Sequence, residues 1–570
     1  MRRARLAIFF PILALLGCSD DVQGTGTTGP TTGLDGGSET QGEGDGDGDA
    51  GDGDGDGDGD GDAGDGDGDG DPGDGDGDLP PPPSTGIQIV DVTVDQGVRI
   101  PIVQYGNWLA PDERNAALIK DRPALLRAFY LVEEGFEQRT IYAILTLELD
   151  GQTYEFDTLQ TAFPEPACEG EVQMECRYAS TVGSFNFRIP AEYVQPGVEF
   201  KIETFEASPG HEDTPTAAIP HYPWEGGTEP VGVDDTYMKM RVVLVPVHHD
   251  VGDQCAPAPD LSEPFGTDYE GNELTVAQYM GLQLEAANPV DEVEIIERAP
   301  VNWGGSLTNG SLLGALSQLR SQDNAPPEQY YYAVAVPCEG YPDFSGIAQI
   351  GGPSKNAASS RVGWGVWYED KAQVAETFVH EVGHQQGRAH IHCSGEEAGT
   401  DPSYPNNSGD IDSFGTHIFR NPVDTHPPSD HDYMTYCQST WVSEWGWRLV
   451  YPWITEISSW ELEGPAAGGL AKRPLLFGHI GSSGEQRWWT ASDYWDPSAA
   501  QGFETVEFEV EGRAVAVRAL HVASDHGDDY MIVAPLPADH ELEQLGGLQW
   551  VDREDVRRVV DVARVDGLRK

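Results

Sequence analysis

The sequence predicts an α+β, multidomain chain: a central α/β block with a mixed sheet and an active-site helix, flanked by β-sandwich-like regions. Three observations lead there. Short β-type runs fill the chain from Ile87 to about Tyr237. Strand and helix patterns alternate from Met238 to about Trp460. β-type runs return after Trp460. The 570 residues leave room for several domains. Hydrophobic residues make up 38% and aromatic residues 9%, which fits folded domains.

Taken in order, the first eighteen residues read as a processing segment. Arg2, Arg3 and Arg5 precede an apolar run from Leu6 to Leu16, too short to span a bilayer and suited to a signal h-region. The run ends in Leu15-Leu16-Gly17-Cys18, which resembles a bacterial lipobox. That resemblance implies cleavage before Cys18, acylation of its thiol and stable membrane anchoring through two or three acyl chains. Ser19 rather than Asp follows Cys18, which favours the outer membrane or cell surface of a diderm bacterium. Residues 1–17 are therefore expected to be a lipoprotein signal peptide.

Residues 18–86 carry no apolar periodicity and read as an anchor and disordered linker. The stretch Glu43–Asp78 is almost pure Gly-Asp and holds 17 acidic residues; removing them from the net charge of −64 leaves −47. A Gly-rich coil of this length spans roughly 45 Å, more under self-repulsion. Specific Ca2+ binding is unsupported, because the repeat lacks the hydrophobic residue that a calcium-binding β-helix needs for its core. The acidity of the remainder argues against nucleic acid as a partner. It gives no oligomeric state.

Residues 87–237 are expected to be β-sandwich-like, from runs such as Leu125–Tyr130, Ile141–Leu147 and Phe185–Ile189 separated by Gly, Pro and acidic turns. Residues 238–460 alternate: strands at Val242–Val247, Val293–Ile296, Tyr330–Val336 and Val362–Tyr368, with helices at Leu274–Ala286, Leu312–Leu319 and Ala372–Gln386. Residues 461–570 return to β-type runs, such as Val506–Val510 and Ala514–Val517.

The chemistry concentrates in His380-Glu381-Val382-Gly383-His384-Gln385-Gln386-Gly387-Arg388-Ala389-His390. His380 and His384 lie one turn apart on one helix face and can grip one ion. Glu381 reaches a water on that ion. Gly387 suits a left-handed helix end that returns His390 as third ligand, leaving an open position. This pattern resembles the signature of the metzincin clan of zinc peptidases, HExxHxxGxxH followed by a Met-turn. Asp432-Tyr433-Met434-Thr435-Tyr436-Cys437 is similar to that turn, and Trp441–Trp447 resembles the helix that follows it in large bacterial metzincins, including mucin-type glycoprotein peptidases and the gametolysin-like group. The resemblance covers roughly residues 238–460 and does not fix one family.

The resemblance implies one catalytic Zn2+ on His380, His384 and His390, Glu381 as general base, Met434 as the floor beneath the imidazoles and Tyr436 as a zinc-ligating phenol that swings to stabilise the oxyanion. It implies that Arg361–Trp367 is a sheet edge pairing with extended substrate, and that the substrate is an extracellular protein or glycoprotein. His392, two residues past His390, could compete as the third ligand, but the clan pattern favours His390; His417, His426 and His431 read as loop residues. An adhesin built on an inactive peptidase scaffold is the alternative, against which Glu381 argues. The sequence offers no cysteine-based latency device.

If Cys18 carries lipid, six cysteines remain, an even set that points to disulfides in an exported chain. Sequential pairing is preferred: Cys168 with Cys176, Cys255 with Cys338, and Cys393 with Cys437, the last bracing the metal site.

Overall fold

A computed structural model describes residues 81–164, 178, 180–252, 255–308, 310–393, 399–462, 472–482, 484–495, 504–526, 529–537, 545–552, 556–561 and 564–566. The expected signal peptide, lipidation site Cys18, most of the linker, Cys168 and Cys176 lie outside them. The described residues belong to one compact unit, Asp78–Lys570.

The fold class departs from expectation. Among the described residues 42% are strand and 17% helix, in many small sheets, so the chain is β-rich rather than α+β. The physical reason is that only long periodic segments announce themselves in a sequence. Strands of two or three residues, such as Gly346–Ala348, Gly415–His417 and Asp424–His426, carry no readable period. The four α-helices among the described residues therefore weighed too heavily in the reading of the middle segment.

The N-terminal region has two five-stranded sheets. Arg139–Leu149 and Glu199–Glu206 alternate buried and partly exposed residues, and Ile141, Ala143 and Leu145 point the same way as Phe200 and Ile202. These residues share one core with Ile89, Leu126 and Phe187 of the other sheet. That core does not stop at residue 237: the same buried cluster extends to Trp460.

The middle sheet runs in the order Glu292–Glu297, Lys239–His249, Gln329–Ala335, Val362–Val366, Gly346–Ala348. The first four strands are parallel and the last is antiparallel. Lys239–His249 is buried on both faces: Val242 and Leu244 enter one core, Val243 and Val245 the other. Helices α1 (Val276–Ala286) and α3 (Lys371–Gln385) pack together on one face, and α2 (Ser311–Gln322) contacts the C-terminal strands on the other. Helix α4 (Glu444–Leu462) follows the expected Met-turn. Val362–Val366 was expected to be the sheet edge, but Gly346–Ala348 pairs antiparallel outside it and takes that position.

The C-terminal region forms a five-stranded and a four-stranded sheet. Its strands Leu520–Ala523 and Tyr530–Pro535 pair antiparallel, and just beyond the first of them Ser524 forms an antiparallel bridge with Gln349 of the middle region.

Candidate metal centre

Helix α3 delivers the first two imidazoles. Asp370 caps it, accepting hydrogen bonds from the N–H groups of Ala372 and Gln373. Val374, Ala375, Phe378, Val379 and Val382 bury its apolar stripe, which leaves His380 on the cleft and His384 buried one turn behind it. The helix ends where Gly387 takes φ +78°. Gly387 N–H donates to His384 O (2.8 Å) and Arg388 N–H to Gly383 O (3.1 Å), the paired bonds of a Schellman ending. A Cβ at 387 would lie 2.6 Å from the Trp453 ring, so glycine is required for space as well as conformation. This reversal returns His390.

The three Nε2 atoms converge. His384 Nε2 lies 3.1 Å from His380 Nε2 and 3.2 Å from His390 Nε2. A tetrahedral zinc with Zn–N bonds of 2.0–2.1 Å would hold its nitrogens about 3.3 Å apart. The outward nitrogens are pinned: His380 Nδ1 lies 2.8 Å from Tyr433 O and His384 Nδ1 2.8 Å from Arg388 O. Carbonyl acceptors there require Nδ1–H tautomers, leaving each Nε2 lone pair for a metal. Burial, reinforced by His390, pushes His380 down to about 3, and burial with His380 and His390 pushes His384 well below the usual histidine range. These imidazoles are neutral at pH 7, the state a metal ligand needs. The donor set, its spacing and its tautomers fit zinc.

Met434 is fully buried beneath α3, and a Cβ at Gly383 would collide with its sulfur. The turn is tied down. Arg388 Nη2 donates to Asp432 Oδ1 (2.8 Å), the same oxygen accepts Met434 N–H (2.9 Å), and Ser443 Oγ donates to Asp432 Oδ2. Ile391 N–H donates to Met434 O (2.9 Å). Cys393 and Cys437 are disulfide-bonded across this junction, and Cys255 and Cys338 form a second disulfide. Tyr436 places its hydroxyl 2.9 Å from His390 Nε2 and 3.3 Å from His526 Nε2.

Neither a family model nor a curated protein matches the chain. Its chemistry is therefore read from these side chains alone.

Glu381 is buried, and a Cβ at Gly346 would lie 2.6 Å from its Oε1, so that glycine makes room for the carboxyl. Burial, then the neighbouring Asp525 carboxyl, raises Glu381 well above the usual carboxylate range. Asp525 is itself pushed up to about 7 by burial. A cleft of about 700 Å³ opens beside them, walled by Phe344, Gly346, Thr377, His417, His426 and Trp441 among others.

Asp525 and His526 escaped the sequence reading, yet both join the cluster: His390, Asp525 and His526 form one potential ligand group, and Glu381, His384 and Asp525 another. Among the described residues His392, His417, His426 and His431 join none. The one sequence signal was a histidine among acids in a turn, Asp525-His526-Gly527-Asp528-Asp529.

Proposed function

We propose that the chain is a zinc-dependent endopeptidase acting on extracellular protein or glycoprotein, with a centre of the metzincin type. The observation that carries this reading is the convergence of three imidazoles with Glu381 beside them. Zinc bound there supplies a Lewis acid for the scissile carbonyl and makes a nucleophile of water near neutral pH. Glu381, buried beside the imidazoles, takes the proton of that water and passes it to the leaving amine. Tyr436, beside His390, donates its O–H to the oxyanion. The backbone of Gly346–Ala348 orients an extended substrate along the sheet edge. That part of the proposal moves one strand outward from Arg361–Trp367. Export and lipid anchoring at the cell surface rest on residues 1–18 alone. Among the described residues no helix is long and apolar enough to cross a membrane.

The test pairs zinc content with casein cleavage. Wild type and Glu381→Ala are expected to carry one zinc each, while wild type cleaves, if slowly, and Glu381→Ala does not. A Glu381→Ala chain that cleaves as fast as wild type would remove the mechanism.

A further inference from the structure

The backbone of the outer strand is already engaged by the chain itself. Ile350 N–H donates to Ala523 O (2.8 Å), and Asp525 N–H donates to Ala348 O (3.1 Å). Gln349 and Ser524 pair between them as an antiparallel bridge. Residues 523–525 thus lie along the edge as a short added strand, using the N–H and C=O groups that an extended peptide would use.

The Asp525 side chain points inward. Oδ1 accepts Ala348 N–H (2.9 Å), while Oδ2 lies 3.5 Å from His384 Nε2. Ligand atoms at two corners of a zinc tetrahedron are separated by about 3.4 Å. Oδ2 is also fully buried and makes no hydrogen bond in the protein, as does Glu381 Oε2. Buried carboxyl oxygens without a partner are costly, and a cation between them and the imidazoles would satisfy them.

The neighbours hold this placement. Ser524 Oγ contacts the carbonyls of His526 (2.8 Å) and Asp529 (2.9 Å), and Ser524 N–H donates to Asp529 O (3.0 Å). The His526 ring stacks on Phe344 with centroids 5.7 Å apart.

We infer that residues 523–526 occupy the place of a peptide substrate, and that Asp525 Oδ2 is a fourth protein ligand of the metal, closing the position that hydrolysis needs open. The inference rests on the three-histidine reading above. In this arrangement Glu381 faces a carboxyl group in place of water, and the folded chain cleaves only slowly, when residues 523–526 leave the edge. A peptide that displaces residues 523–526 from the edge strand, or loss of the C-terminal region, opens the centre.

The experiment uses the full chain with Asp525→Ala and Asp525→Asn, reading zinc affinity by chelator competition, the visible spectrum of the Co2+-substituted protein, and casein cleavage. Asp525→Asn keeps the side-chain shape and the acceptor for Ala348, so it carries the test if Asp525→Ala melts early. Expected are one zinc per chain, an affinity weakened roughly tenfold or more, an altered Co2+ spectrum, and a clear rise in cleavage. Weaker metal binding together with faster cleavage is a combination that a merely structural aspartate does not produce. Unchanged affinity and spectrum, or a cleavage rate that does not rise, overturns the inference. Absence of zinc from wild type and variants alike would mean that the three-histidine reading itself has failed, and this one with it.

Discussion

Two groups of histidines border the same cleft, the first through His380 and the second through His417 and His426, and only the first gathers its ring nitrogens as a metal ion needs. In the first, His380, His384 and His390 aim their Nε2 atoms at one point, with carbonyls fixing the far nitrogens of His380 and His384. In the second, His417 and His426 come from a small hairpin and look elsewhere. His417 Nε2 meets Gln283 Oε1 at 3.2 Å, while His426 bonds Asp430 (2.9 Å) and lies flat on Trp441 with centroids 4.1 Å apart. Residue type is therefore a poor guide to metal binding. A helix places two side chains on one face at one-turn spacing, whereas a hairpin aims each ring according to its local packing.

The comparison breaks first at His384. His384→Ala is expected to abolish zinc binding and cleavage, whereas His426→Ala keeps one zinc; metal analysis of the two proteins reads the contrast directly. Next, Glu381→Gln is expected to retain zinc and lose roughly 10²–10⁴-fold in kcat, measured in the wild-type and Asp525→Ala chains so that latency does not mask the loss. Tyr436→Phe is expected to cost roughly 10²-fold in kcat with KM little changed, as for a lost oxyanion donor; steady-state kinetics in the same two chains would show it.

The second group answers to acid instead of metal. Burial, with Arg420 and His426 near, holds His417 well below the usual histidine range. The unfolded chain takes a proton near pH 6.5 and the folded ring does not, so stability is full above that pH and falls below it. The slope reaches about 1.4 kcal/mol per pH unit for each such ring. His417→Asn should therefore narrow the gap between urea stabilities at pH 7 and pH 5.5, by about 1 kcal/mol or more. Smallest is His426→Ala, expected to cost about 0.5–1.5 kcal/mol of stability through lost stacking on Trp441, read as a lower urea midpoint at pH 7.

The same contrast explains what was legible in the sequence. His380, Glu381, His384, Gly387 and His390 fall within eleven residues, and helix geometry alone brings most of them together. Met434 and the Cys393–Cys437 bond lay farther off but in a recognisable turn. Asp525 sits over 140 residues from His384 in a different sheet, and only the tertiary packing of a hairpin against a three-residue edge strand brings it to the site. That strand, Gly346–Ala348, was invisible for the reason that misled the class assignment: three residues have no period. Arg361–Trp367, longer and richer in Val and Trp, reads as the edge in its stead.

Arg388 links the parts of the centre that the sequence keeps apart. Its carbonyl orients His384, and its guanidinium grips Asp432, which in turn aligns the backbone at Met434 and the start of α4. A displacement of any one of these is passed to the others through a single side chain, so the metal floor and its ligands move as one stiff part. The strand pair Gly415–His417 and Asp424–His426 on the cleft wall is free of that keystone and can shift without disturbing it.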